Sequence, residues 1–116
     1  MTGSAFSLSL AIPTDGFTCS GIEPVIGGMH APDQQHHFCP ECMSWIFTKF
    51  PPEMGFVNMR ATMLDQPAWF APFVETMTSA KLDSVHLDVA ESFPDFPAME
   101  VYPRLVERYA REARRP

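Results

Sequence analysis

Apolar and polar positions alternate in short runs along most of this chain, and helical spacing appears only at its end. In Phe6-Ser7-Leu8-Ser9-Leu10-Ala11-Ile12 the period is two, which predicts a half-buried strand with Phe6, Leu8, Leu10 and Ile12 on one face. Pro13-Thr14-Asp15-Gly16 has turn composition. Phe17 to Ser20 reads as a second short strand, with Cys19 as a small buried residue in it. Glu23 to Met29 reads as an edge strand, because Pro24 cannot donate to a ladder. Gln35 to Phe38 leads into a turn and Ser44 to Lys49 leads out of it. Phe56 to Ala61 alternates again, with Val57 and Met59 opposite Asn58 and Arg60.

Further along, Asp65-Gln66-Pro67 is a turn, Phe70 to Met77 is strand or extended chain, and Lys81 to Ala90 is weakly patterned. Ser92-Phe93-Pro94-Asp95-Phe96-Pro97 excludes a helix through its two prolines. Between about Val101 and Arg114 the period changes. Val101, Leu105, Val106, Tyr109 and Ala113 recur at helical spacing, and Pro103 fits the first turn. The pattern predicts a single mainly β domain over residues 1–116, built from short antiparallel sheets with one C-terminal helix. Phe6, Leu8, Leu10, Trp45, Phe47, Val57 and Met59 are the expected core.

A hydrophobic content of 46% supports a globular chain rather than a disordered one. No apolar run approaches the ~20 residues that span a bilayer, and no basic region precedes an apolar run at the start of the chain. A membrane partner is therefore not expected. A net charge of −6 argues against nucleic acid. Three cysteines, two of them closely paired, fit a reducing cytoplasm better than a disulfide framework. Arg104, Arg108, Arg111, Arg114 and Arg115 crowd the C-terminus and read as a solvated helix face. Asp83, Asp88 and Glu91 read as surface carboxylates, and no nucleophile elbow, phosphate loop, dinucleotide fingerprint or H-E-x-x-H motif is present.

The chemistry-bearing stretch is His36-His37-Phe38-Cys39-Pro40-Glu41-Cys42. Two thiolates at C-P-x-C spacing offer two corners of a tetrahedron to zinc, with Zn–S near ~2.3 Å, and a proline keeps the turn narrow. A redox pair is the alternative. It calls for the first cysteine at a helix N-terminus, whereas the residues after Cys42 prefer strand. Plain core cysteines are the third reading. A closed structural site takes four ligands, and Cys39 and Cys42 supply half of them. His36 and His37 would point to opposite faces of a strand, so that one faces solvent and one packs, and at most one could join the pair.

With these residues in place, the chain resembles the glutathione-dependent formaldehyde-activating enzyme family, which includes centromere protein V. Phe38-Cys39-Pro40-Glu41-Cys42 is similar to that family's later cysteine pair, and Gly3-Ser4-Ala5-Phe6 to the segment after its first zinc cluster. Val57 to Pro67, ending Leu64-Asp65-Gln66-Pro67, resembles its strand and turn, Glu75 to Lys81 its lysine-ended strand, and Phe93-Pro94 with Pro97 its closing prolines. The departures are Met43 and Ala61 where the family carries glycine, and no tryptophan soon after Lys81.

The resemblance implies a tent-like β fold and a structural zinc held in part by Cys39 and Cys42. It implies carbon–sulfur lyase chemistry on a glutathione–formaldehyde adduct, or another small thiol adduct. In the family an N-terminal third supplies a C-x-C pair to the structural zinc and a C-x-C-x-x-C cluster to the catalytic zinc. Neither motif occurs in this sequence, which corresponds to the C-terminal two-thirds, so no catalytic residue is assigned. The alternatives are a catalytically inactive β domain with a structural or interaction role, and a module that completes its zinc site from another chain. Sheet edges left open would favour a homodimer.

Overall fold

Backbone groups of short strands must find partners across a sheet, and the register of that pairing decides which side chains share a face. The computed structural model describes residues 2–114, and its contacts gather into two units that divide between Pro67 and Ala68. In the first unit the strands are β1 (Ser9–Pro13), β2 (Val25–Gly27), β3 (Gln35–Phe38), β4 (Trp45–Lys49) and β5 (Phe56–Arg60). They form one antiparallel sheet in the order β1-β5-β4-β3-β2. The chain is thus mainly β, and the strand expected over Glu23 to Met29 is the shorter β2, an edge strand that begins just after Pro24.

Register sorts the two faces. His37 lies opposite Phe47, Phe47 opposite Met59, and Met59 opposite Leu10. These residues share one face with Val57, its partner Ile12, and Phe17, whose ring packs edge-on against Phe47 at 4.9 Å. The other face carries His36 opposite Thr48, Thr48 opposite Asn58, and Arg60 opposite Ser9. Central β4 buries side chains on both faces, and Phe47 and Thr48 are each 3% exposed. Gly27 lies at a close approach, since a Cβ there would sit 3.1 Å from the Phe38 ring. Gly55, at φ 69°, ends the 3-10 turn Pro52–Met54 and accepts a 3.0 Å hydrogen bond from Thr14 N–H, which ties the far ends of β1 and β5.

Several expectations are corrected. The first strand begins at Ser9 instead of Phe6, and Phe6 is exposed. Its partner β5 ends at Arg60, where Ala61 opens a 3-10 turn, so only Leu8 C=O finds a ladder-like donor beyond it. Leu8, Leu10, Trp45 and Met59 are half-buried, while Phe47 and Val57 are fully buried as predicted. Phe17 to Ser20 is not a strand, because no neighbouring strand pairs with it, and Cys19 is exposed rather than buried.

In the second unit β6 (Val74–Glu75) pairs with β7 (Glu91–Ser92), and α1 (Tyr102–Glu112) follows a 3-10 turn at Met99–Val101. The β6–β7 pair is parallel, against the antiparallel expectation. The long connection between them permits this, because parallel strands need a crossover of a dozen or more residues. Leu105 is the buried residue of α1, with Val101, Tyr109 and Ala113 half-buried beside it. Val106 lies off this stripe and is exposed.

The arginines of α1 are not simply solvated. Arg104 clamps Glu91 with two hydrogen bonds of 2.6 and 2.8 Å, and Arg108 adds one of 2.9 Å while also donating to Glu112 at 2.8 Å. Glu91, expected at the surface, has a side chain only 18% exposed. The Arg104 and Arg108 guanidiniums hold its carboxyl down from an ordinary 4.5 to about 2. Arg108 also lies over the Phe73 ring, which packs edge-on with Tyr109 at 5.3 Å. Arg115 lies outside the described residues.

Two outcomes follow from these contacts. Phe47→Ala is expected to cost about 3–5 kcal/mol, whereas Phe6→Ala costs less than about 1, both read by urea unfolding followed through tryptophan fluorescence. A depressed carboxyl contributes stability above its ordinary pKa and loses it as pH falls through the folded value. Acid titration followed by helical circular dichroism should therefore show α1 loosening between pH 4.5 and about 2. Glu91→Gln should remove that step.

Candidate metal-binding knuckle

β3 and β4 run antiparallel, and the six residues between Phe38 and Trp45 must reverse the chain while leaving two thiols on the turn. Two backbone bonds close it. Cys39 N–H donates to Ser44 C=O and Met43 N–H donates to Cys39 C=O, both at 2.9 Å. The second bond spans four residues and forces a left-handed residue at its end. That residue is Met43, at φ 57°. A non-glycine side chain there costs about 1–2 kcal/mol. The register also shifts between His37 and Phe38, a bulge that sets Phe38 opposite Trp45.

Cys39 is half-buried and Cys42 exposed, both as free thiols. Sγ of Cys42 lies 3.2 Å from Oγ of Ser44. Hydrogen bonds from the Ser44 side chain and backbone, with a smaller one from the Cys39 thiol, pull the Cys42 thiol below its ordinary value. Strands flank the turn on both sides, so it is not the helix N-terminus that the redox reading requires. Ser44 was not singled out from the sequence, although a hydroxyl two residues after a cysteine is a legible signal.

His36 and His37 do not behave as expected. Both are buried, each 6% exposed, because each face of the sheet at β3 is covered by its own aromatic group. His36 Nδ1 lies 2.8 Å from Thr48 Oγ1, and its ring packs edge-on to Trp45 at 4.8 Å. Trp45 Nε1–H donates to Thr48 Oγ1 and to Phe47 C=O, both at 3.2 Å. Arg60 completes this cluster, with its guanidinium 4.5 Å from the Trp45 ring and Nη1 donating to Ser9 Oγ at 3.3 Å. Burial lowers the Arg60 pKa. Alternation with Val57 and Met59 gave Arg60 the look of a solvated position, and the apolar residues on both sides of β4 were the missed signal.

On the opposite face the His37 ring stacks on Phe47 at 4.5 Å, and both ring nitrogens are buried without a hydrogen-bond partner. Burial is the main cause that lowers the His37 pKa. Lys49 and His36 add to the shift, and Glu23 opposes it. His36 is lowered by burial alone. Neither imidazole turns toward the two thiols to make a triad, and no group of three or more His, Cys, Asp or Glu that could hold a metal converges among the described residues. A pocket of about 260 Å³ lies at the far end of β4, lined by Thr14, Phe17, Lys49, Phe50 and Phe56 among others, and contains no thiol or imidazole.

The donor set nonetheless fits zinc in part. Two soft sulfur ligands lie on one hydrogen-bonded turn, and one of them is open to solvent. No helix among the described residues is long and apolar enough to cross a membrane. No family model, curated protein or solved structure matches the chain.

The orphaned imidazole carries a measurable consequence. A base whose folded pKa is depressed stays neutral in the fold while the unfolded chain takes up a proton, so stability is present above the ordinary value of 6.5 and falls as pH drops below it. His37→Phe keeps the stacked ring and removes two unpaired nitrogens. It is expected to raise unfolding stability by about 1–3 kcal/mol and to flatten its decline below pH 6.5 in urea melts, leaving the share due to His36.

Proposed function

We propose that this chain is a zinc-binding β module in which Cys39 and Cys42 are metal ligands. Its class of chemistry is that of the family it resembles, carbon–sulfur lyase action on a glutathione–formaldehyde or similar small-thiol adduct, with the catalytic zinc cluster of that family not among the residues of this sequence. The observation that carries the zinc reading is the closed turn itself. Two free thiols sit between antiparallel strands, fixed by two backbone hydrogen bonds, with no helix to make them a redox pair. Zinc bound there would supply a rigid crosslink between β3 and β4 and, as a Lewis acid, would favour thiolate over thiol. The chain's own groups hold the turn in shape. Ser44 stabilises the Cys42 thiolate, and the Trp45–Thr48–His36 cluster fixes the root of the hairpin.

The lyase assignment rests on the resemblance, and the two remaining positions of a tetrahedral shell must be filled from outside the described groups. A second reading, an interaction module without catalysis, is favoured by the exposed apolar residues of β2, Val25 and Ile26, on an edge strand beside the knuckle. Zinc uptake in competition with a chromophoric chelator is expected to be lost in both Cys39→Ser and Cys42→Ser. Proton-exchange spectroscopy of glutathione, formaldehyde and their adduct should show no zinc-dependent acceleration by this chain alone. An acceleration retained in Cys39→Ser would place the active centre away from the knuckle.

A further inference from the structure

A tetrahedral thiolate site wants four sulfurs, and this knuckle presents two of them at the molecular surface. Cys42 is exposed, Cys39 is half-buried, and Met43 at the tip of the turn is exposed as well. No third metal-ligating side chain joins the pair among the described residues, since both neighbouring imidazoles are committed to the interior of the sheet. The exposed side of the turn is open to a further donor.

The surface beside the knuckle is suited to a second copy. β2 is a terminal strand of the sheet, and its Val25 lies opposite Phe38, the residue that immediately precedes Cys39. Val25, Ile26 and Met43 are all exposed apolar side chains in this region. An open strand edge with apolar neighbours is a surface that pairs with another chain unless something blocks it. A two-fold axis through the metal would use the same patch on both chains, so each supplies two of the four thiolates and the same apolar edge. A net charge of −6 on each chain opposes association without metal.

Building on the zinc reading above, we propose that two copies of this chain share one zinc ion, held by Cys39 and Cys42 of each. The chain is then monomeric without metal and dimeric with it. Dimer formation takes up one Zn²⁺ for two chains and releases the protons of whichever of the four thiols are still protonated. No oxidant or reductant is involved.

The experiment is a zinc titration of the full chain under reducing conditions, followed by light scattering coupled to size exclusion and by X-ray absorption at the zinc edge. The expected result is a mass that doubles from 13.0 kDa, saturation at half a zinc per chain, and a shell of four sulfurs. Chelation should restore the monomer. Cobalt(II) in place of zinc should give the intense visible bands of a tetrahedral tetrathiolate, with the same half-equivalent end point. Cys42→Ser alters an exposed residue, and circular dichroism checks that it stays folded; it should remain monomeric with zinc. Ile26→Lys keeps all four thiols and should weaken the zinc-dependent dimer.

One zinc per monomer with two sulfurs and lighter ligands would overturn the shared site while leaving the knuckle as a zinc ligand pair. No zinc uptake would overturn both. A dimer that survives chelation and Cys42→Ser would show that the copies associate without the metal, which also overturns the proposal.

Discussion

The pairing of β3 with β4 is the constraint on which the rest of the first unit depends. It sets His36 opposite Thr48 and His37 opposite Phe47, and so assigns one imidazole to each face. It fixes the mouth of the six-residue turn that carries both thiols. It also makes β4 a central strand, with β5 on its other side, which is why Phe47 and Thr48 are both buried. A slip of one residue in this register would exchange the faces, placing His37 where Thr48 now accepts from Trp45.

The knuckle shows how local strain and tertiary support divide the work. Met43 occupies a left-handed conformation that glycine would adopt freely, and the turn persists because the ladder on both sides determines it. Next to the bulge at His37–Phe38, the Trp45 indole N–H reaches Thr48 and Arg60 covers its ring.

The two units solve the problem of charged side chains differently. In the second, Glu91 satisfies Arg104 and Arg108 together, and the bidentate geometry suits guanidinium and carboxylate. In the first, Arg60 is buried against an indole and a serine hydroxyl, so its charge rests on a π-face instead of an anion. His37 has neither solution, and its two ring nitrogens stand unpaired. Burying such a group is tolerable when the ring's apolar faces contribute stacking that offsets the loss.

What the sequence determined by itself is what short-range chemistry controls. The period of two, the prolines, and the C-P-x-C spacing placed β2 to β5, the edge character of β2, the turn between β3 and β4, and the terminal helix. Those signals act within a few residues. Tertiary structure decided everything that needed a neighbour. Phe17 to Ser20 had strand composition but no strand to pair with. Phe6 had the right phase but lay beyond the end of β5, and Val106 was near the apolar stripe of α1 but off its buried line. The burial of both histidines required β4 to be covered on two faces, and the pairing of Glu91 with Arg104 and Arg108 required a contact across 13 and 17 positions. Alternation tells which residues share a face, but only the packed sheet decides whether that face meets water.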